Sequence, residues 1–116
     1  MALTKAQRAL RADWMAALRS GEYAQTTGVL KKPGIGAGFC CLGVACDIVD
    51  PDRWESGGAA LGIHWDGAFT NLHDEVRGAL GLSWEDSDAL ISMNDVDRCT
   101  FEEIADAIDF LTRAGL

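Results

Sequence analysis

The sequence predicts an α+β fold: a single compact domain over residues 1–116, with about four helices around a small antiparallel sheet or hairpin. Apolar residues make up 48% of the chain, which is enough to build a hydrophobic core. Apolar positions near both ends recur at helical spacing, whereas the middle is rich in glycine and carries a hairpin signal. No repeat or linker divides the chain, so we expect one domain.

The first helix is predicted from a capping box, in which Thr4 and Gln7 satisfy backbone amides at the helix start. Ser20-Gly21 supplies the stop. The apolar positions at helical spacing are Leu3, Ala6, Leu10, Trp14 and Leu18. Arg11 lies off that stripe.

An extended segment is predicted from Tyr23 to Lys32, with Gly28 as a bulge. The glycine-rich stretch Pro33–Gly38 then predicts a loop. Two interpretations of this loop remain open: a plain connection, or an anion-binding nest beside Lys31 and Lys32. The stretch matches neither standard phosphate-binding motif.

The almost wholly apolar run Phe39–Val49 is long enough for a buried helix, which we expect at the centre of the core. Gly43 is unfavourable inside a helix unless another backbone packs closely against it. Asp50-Pro51 ends the segment, because the residue before proline avoids helical geometry.

A hairpin is predicted where Asp66-Gly67 joins Ile63–Trp65 to Ala68-Phe69. An exposed Trp54 or Trp65 would indicate an interface.

Three further helical segments follow the predicted hairpin, each recognised from its cap and apolar spacing. They are Asn71–Leu80, capped by Thr70 or Asn71; Ser83–Met93; and a last helix that starts at a capping box on Thr100 and stops at Gly115. Asn94-Asp95 is predicted to form the turn before the last helix.

The net charge of −8 argues against direct binding to nucleic acid, which requires a basic surface. No apolar run is long enough to span a membrane, and the N-terminus lacks the pattern of a signal peptide. We therefore expect a cytoplasmic protein without a membrane partner.

Charge is distributed unevenly along the chain. Residues 1–32 carry six basic and two acidic groups, whereas residues 85–109 carry nine acidic groups against Arg98 alone. The acidic residues that we expect to bind a partner are Glu85, Asp86, Asp88, Glu102, Asp106 and Asp109. The alternatives are an ordinary solvated face, or a nucleic-acid mimic that occupies a basic groove on a DNA- or RNA-binding protein.

Four cysteines are present, and their spacing contains no Cys-x-x-Cys pair. We therefore expect buried thiols, no metal and no cofactor. An alternative is that Cys40 or Cys41, at a helix start, acts as a nucleophile with His64 as base and Asp66 or Asp74 orienting it.

Three stretches of the sequence form a specific pattern. Ala17–Gln25 reads A-L-R-S-G-E-Y-A-Q, and Phe39–Asp47 reads F-C-C-L-G-V-A-C-D. Asn94-Asp95 and then Thr100–Ile108, which reads T-F-E-E-I-A-D-A-I, complete the pattern. Together these motifs resemble those of a family of small uncharacterised proteins of tailed bacteriophages and prophages. The resemblance covers the whole chain except for the variable middle segment, and it implies an accessory protein made inside an infected bacterium.

Polar residues of these motifs have two interpretations. The set is Tyr23, Gln25, Asp47, Asn94 and Asp95. They can hold buried elements together through hydrogen bonds, with Asp47 anchoring the Tyr23–Gln25 segment. Alternatively they line a shared pocket for a small, nucleotide-like ligand. The leading hypothesis is binding to a host or defence protein that has a basic surface; a ligand-sequestering protein and a Cys/His hydrolase are the alternatives.

Overall fold

The fold is taken from a computed structural model that describes residues 3–57 and 62–114. Its helices are α1 (Lys5–Arg19), α2 (Cys41–Val49), α3 (Asp74–Leu80), α4 (Trp84–Asp95) and α5 (Phe101–Ala114). Its strands are β1 (Lys31–Lys32), β2 (Gly38–Phe39), β3 (Trp54–Ser56) and β4 (Ile63–Trp65), and a 3₁₀ turn spans Pro51–Arg53. The α+β class is confirmed, with five α-helices in the described residues where about four were expected.

The core forms around α2, whose residues from Cys41 to Cys46 are all buried. Trp14 and Leu18 reach the core from α1, and Ile104 and Ile108 from α5. Trp14 also donates its indole N–H to the carbonyl oxygen of Cys41 at 2.8 Å, so its one polar atom is satisfied inside the core. The predicted central helix is therefore confirmed.

Capping explains where several helices begin. Thr4 and Gln7 form the predicted capping box of α1, and Thr100 forms the reciprocal pair with Glu103 before α5. Ser83 caps α4 through its hydroxyl, as its place before the helix suggests. The predicted end of α5 at Gly115 lies outside the described residues.

Helix α3 begins later than its apolar spacing indicated. His73 is the N-cap, accepting from the backbone amide of Glu75, whereas Thr70 or Asn71 had been expected. Asn71 instead uses its side-chain oxygen to accept from the amide of Leu72. The helix ends at Gly81 in the left-handed conformation, with a φ of 67°.

Arg11 is 3% exposed, although it lies off the predicted apolar stripe of α1. Its guanidinium donates to the carbonyl oxygens of Leu80 and Gly81 at 2.7 and 2.9 Å, and to Thr112 Oγ1 at 3.1 Å. This side chain therefore joins α1 to the end of α3 and to α5. Apolar periodicity gives no signal for such a contact, because the carbonyls that attract the guanidinium come from another part of the chain.

The prediction of an extended segment from Tyr23 to Lys32 is mostly wrong. Only Lys31–Lys32 lies in a strand, pairing antiparallel with β2, while Gln25 forms an isolated bridge to Phe39. Gly28, with a φ of 85°, turns the chain between those two points. Because Phe39 bonds to this segment, α2 starts two residues later than predicted, with Cys40 as its N-cap.

The turn at Asp66-Gly67 is confirmed, but the predicted hairpin partner is wrong. Both residues have positive φ, as an Asp-Gly turn requires. Strand β4 pairs antiparallel with β3, and Ala68 makes only an isolated bridge to Trp65. The reason is that the carbonyl of Phe69 accepts from the amide of Leu30 at 2.8 Å, which leads the chain away from β4.

No described helix has both the length and the apolar character needed to cross a membrane.

Candidate functional site

Asn94 is the centre of a buried hydrogen-bond network. Its side-chain oxygen accepts from Gln25 Nε2 at 2.9 Å and from the backbone amide of Cys41 at 3.2 Å. Its side-chain nitrogen donates to the carbonyl of Thr26 at 2.8 Å and to Asp95 at 2.7 Å. Asn94 is 1% exposed, and these four bonds use the full capacity of its amide.

This network corrects the role that the sequence suggested for Asn94 and Asp95. They are the last two residues of α4 and not the turn before α5. Gln25 adds a bond from Nε2 to the carbonyl of Cys99 at 2.8 Å, so the network joins three distant segments. A cavity of about 230 Å³ adjoins it, lined partly by Gln25, Asn94 and Arg98.

Asp47 organises a second network. Tyr23 donates its hydroxyl to Asp47 Oδ2 at 2.7 Å, and Trp54 donates its indole N–H to Asp47 Oδ1 at 3.0 Å. The predicted anchoring of the Tyr23–Gln25 segment by Asp47 is therefore confirmed. Burial, followed by the hydrogen bond and the charge of Asp47, raises the pKa of Tyr23 to about 12.

An aromatic cluster surrounds the second network. Phe39 contacts Tyr23 and Trp54 edge-on, with ring centroids 5.1 and 5.9 Å apart. The ammonium of Lys31 lies 5.1 Å from the Phe39 ring centroid and 5.2 Å from that of Trp54. This cluster fixes the position of β1 against β3.

The five candidate ligand-binding residues therefore belong to two networks, not to one shared pocket. Tyr23 and Asp47 form one, while Gln25, Asn94 and Asp95 form the other. Within the described residues, no hydrogen bond links the two networks. Because these polar atoms already bond to one another, the geometry supports the interpretation that they hold the fold together.

The thiols lie in surroundings that oppose nucleophilic chemistry. Burial raises the pKa of Cys40 to about 11 and that of Cys41 well above its usual value. Cys40 accepts from the amide of Gly43 as an N-cap, and the Cys41 thiol contacts the Leu90 carbonyl at 3.6 Å. The helix dipole at the start of α2 favours a thiolate, but burial of the two thiols away from water has the larger, opposite effect on their pKa values.

His64, the proposed base, has other partners. Its Nδ1 accepts from the amide of Gly67 at 2.9 Å, and its ring lies against Phe69. Over the part of the chain that is described, it forms no hydrogen bond to Cys40 or Cys41. The Cys/His hydrolase hypothesis therefore has no support from the geometry. Nor does any group of three or more metal-binding side chains occur within the described ranges.

The six acidic residues expected to bind a partner differ in their surroundings. Two acidic residues of α5 pair with Arg19 of α1. Glu102 Oε1 lies 3.6 Å from Arg19 Nε, and Asp106 Oδ1 lies 2.6 Å from Arg19 Nη2. Asp109 pairs with Arg113 at 3.1 Å. Arg19 of α1 and Arg113 of α5 therefore compensate part of the acidic charge on α5.

The three acidic residues near the start of α4 have fewer cationic neighbours than those of α5. Glu85 and Asp88 are exposed and Asp86 is partly buried, and none forms a salt bridge in the described structure. Asp88 accepts a hydrogen bond from the neutral amide of Asn71 at 3.3 Å. This part of the surface retains uncompensated negative charge.

Trp84 lies beside these acids and is 54% exposed. One face of its ring is covered by the Arg77 guanidinium, 3.8 Å from the ring centroid. Trp65, by contrast, is fully buried and Trp54 partly so. The exposed tryptophan is therefore Trp84 on α4, and not Trp54 or Trp65, where the sequence left an exposed indole open.

A second cavity, which lies apart from both networks, was not predicted from the sequence. It is a groove of about 450 Å³ between the segment from Thr27 to Pro33 and the residues from Gly62 to Thr70. The two walls are 29 or more residues apart in sequence and meet only through tertiary contacts. Gly28 and the adjacent lysines were the only local signals near it.

Comparison with protein families matches residues 6–66 to the family described as "Domain of unknown function (DUF8296)". The match extends from α1 to the turn after β4, so it includes Tyr23, Asp47 and the thiols of α2. No curated protein and no solved structure matched the chain. Because the match covers more than half of the sequence, the protein belongs to the family DUF8296, a domain of unknown function.

Proposed function

We propose that this protein acts by binding another protein through the outer side of α4. The residues of this surface, which we call the α4 surface, are Trp84, Glu85, Asp86 and Asp88. The observation that carries the proposal is an exposed tryptophan, 54% accessible, beside Glu85 and Asp88, two exposed acids that form no salt bridge in the described structure.

The charges explain why α4 is favoured over α5. Surface carboxylates that already pair with arginine offer little further attraction to a basic partner. Glu102 and Asp106 share Arg19, whereas Glu85 and Asp88 remain available. The partner-binding role that the sequence suggested for six acids is therefore best supported for Glu85 and Asp88 on α4.

The chemistry of the α4 surface defines the kind of partner. Uncompensated carboxylates attract a basic surface and accelerate association through long-range electrostatics. Trp84 supplies a large apolar contact of the type that contributes strongly to binding energy at interfaces. We therefore infer a protein partner with a basic surface and an apolar pocket that accepts an indole ring.

The biological setting is proposed from the sequence resemblance. The motifs around Tyr23, Cys41 and Ile104 resemble those of small proteins of tailed bacteriophages and prophages. The partner we propose is accordingly a host or defence protein in the cytoplasm of an infected bacterium.

Affinity capture with charge-reversed variants tests the proposal. Wild-type protein is compared with Glu85→Lys/Asp88→Lys and with the control Asp52→Lys/Glu55→Lys, which makes the same charge change at two other exposed acids. We expect one host protein to be captured by the wild type and the control and released by about 0.5 M salt. Its affinity should fall at least about tenfold in the α4 variant.

Trp84→Ala provides a second, uncharged test of the same surface. We expect it to weaken the captured complex by about 2 kcal/mol, measured by isothermal titration calorimetry with the purified partner. Equal loss in the Asp52→Lys/Glu55→Lys control, or unchanged affinity in both α4 variants, would contradict the proposal. So would capture that salt does not weaken.

A further inference from the structure

The groove of about 450 Å³ is preformed by backbone contacts. One wall contains Val29 and Pro33, and the other contains Ile63 and Phe69. The amide of Leu30 donates to the carbonyl of Phe69 at 2.8 Å, which holds the two walls at a fixed separation. A ligand entering the groove would therefore meet an existing apolar surface and would not need to create one.

Leu30 is itself held firmly in place. It is fully buried, and its carbonyl accepts from the amide of Cys40 at 3.0 Å. Gly43 of α2 packs directly against this carbonyl, since a Cβ added there would lie 1.9 Å from the oxygen. The groove wall thus rests on the central helix of the core.

The size and lining of the groove match those of small-molecule sites. Such sites commonly occupy about 300–1,000 Å³ and combine apolar walls with a few polar groups. Here the polar groups include the hydroxyl-bearing Thr27 and Thr70, together with Lys31 and Lys32. This combination favours a ligand that has an apolar body and a polar end.

The charged residues that line the groove indicate which kind of polar group the ligand carries. Among the described residues, the groove is lined by two lysines and by no carboxylate. Lys32 is exposed and forms no salt bridge in the described part of the chain. In a protein with a net charge of −8, this is a local positive site beside an apolar surface.

We propose that this groove binds a small organic anion with an aromatic or alkyl body, its negative group directed toward Lys32. The apolar body would contact Val29, Ile63 and Phe69, and the anionic group would be a carboxylate, sulfonate or phosphate. This site is separate from the α4 surface and does not depend on a protein partner.

Two fluorescent probes that differ by a single sulfonate group test the proposal. They are 1-anilinonaphthalene-8-sulfonate, which is an anion, and N-phenyl-1-naphthylamine, its uncharged analogue. We expect both to bind with one site per chain. Amide chemical-shift changes on binding should be centred on Gly62, Ile63 and Thr70.

Substitutions at the rim separate charge from shape. Lys32→Gln should weaken the sulfonate probe about tenfold and leave the neutral probe within about twofold, whereas Lys5→Gln on α1 should affect neither. The glutamate and glutamine side chains are nearly equal in size, so a difference in probe affinity between Thr70→Glu and Thr70→Gln reports the effect of charge alone. The glutamate variant should bind the anion about tenfold more weakly than the glutamine variant.

Several outcomes would overturn the proposal. Binding of several probe molecules per chain, or shift changes outside the groove, would show that the groove is not a ligand site. Equal sensitivity of both probes to Lys32→Gln would remove the assignment of an anionic ligand. If inorganic phosphate bound as tightly as the sulfonate probe, an apolar body would add nothing to the affinity, and that part of the proposal would be wrong.

Discussion

Asn94 is the residue on which the packing of three segments depends, since its amide bonds to Gln25, Thr26 and the amide of Cys41. Replacement by alanine leaves a buried backbone amide and a carbonyl without partners. We expect Asn94→Ala to lower the free energy of unfolding by about 3 kcal/mol, measured by urea denaturation.

The matched control for this change is Asn71→Ala. Asn71 is partly buried, and its contacts are an exposed bond to Asp88 and a bond to the next residue, Leu72. We expect a loss of about 1 kcal/mol or less at this position. Equal losses in the two variants would argue against a special structural role for Asn94.

Tyr23 is the only tyrosine of the chain, so tyrosinate absorbance reports its ionisation directly. Its pKa in the folded protein is raised from 10.0 to about 12, which means that folding favours the neutral phenol. The stabilisation is fully present below pH 10 and is lost as the pH rises through about 12.

We predict that Asp47→Asn lowers the pKa of Tyr23 without returning it to 10.0, because burial is the largest cause of the shift and remains in the variant. The measurement is an absorbance titration of wild type and variant, with the urea-unfolded chain as reference. A folded-state titration near 10 in the wild type would contradict the contact between Tyr23 and Asp47.

Two helical glycines show how close packing decides the effect of one methyl group. At Gly43 in α2 an added Cβ would lie 1.9 Å from the carbonyl oxygen of Leu30, so the helix and that segment must separate. At Gly78 in α3 an added Cβ meets no atom within 4 Å. The same substitution therefore acts in opposite directions at the two sites.

We expect Gly43→Ala to destabilise the fold by about 3 kcal/mol and Gly78→Ala to stabilise it by about 0.5–1 kcal/mol. Thermal and urea unfolding of both variants checks the pair. Because the groove wall is also built on Leu30, Gly43→Ala should weaken probe binding as well. A neutral effect at Gly43 would contradict the close approach of these elements.

The elements with local signals were predicted well from the sequence. Capping boxes at Thr4 and Thr100 mark the starts of α1 and α5, and the apolar run before Asp50 marks α2. Even the exceptional Gly43 was interpretable, because a glycine inside a buried helix implies a neighbouring backbone.

The parts that could not be predicted depend on contacts between distant residues. Gln25 and Asn94 are 69 residues apart, and nothing near either one identifies the other. The Asp66-Gly67 turn was recognisable, but nothing near Ile63–Trp65 identified β3 as the partner of β4. The walls of the groove are likewise joined by a long-range contact, between Leu30 and Phe69, so the only local signals were those of Gly28 and the lysines of one wall.

At the scale of the whole molecule, charge is partly compensated within the chain. Arg19 of α1 pairs with Glu102 and Asp106 of α5, so the basic and acidic parts of the sequence meet in the fold. A net charge of −8 nevertheless remains, with Glu85 and Asp88 among its exposed contributors. Such an excess opposes the compact state through self-repulsion.

Salt should therefore stabilise this protein. Exposed ion pairs such as Arg19–Asp106 contribute little to stability, so screening them costs little, whereas screening the excess negative charge relieves repulsion. We expect the thermal midpoint to rise by about 3 °C between about 20 and 200 mM sodium chloride. Differential scanning fluorimetry provides the measurement.

The variant Glu85→Lys/Asp88→Lys changes the net charge from −8 to −4. Because self-repulsion scales with the square of the net charge, the variant should reduce this salt effect to about a quarter while raising the midpoint at low salt. The same variant is the one expected to lose its protein partner. Loss of binding together with unchanged or increased stability would then be attributable to the α4 surface and not to unfolding. A midpoint that falls as salt is added would mean that the internal ion pairs dominate, and the excess charge would no longer explain the behaviour of the molecule.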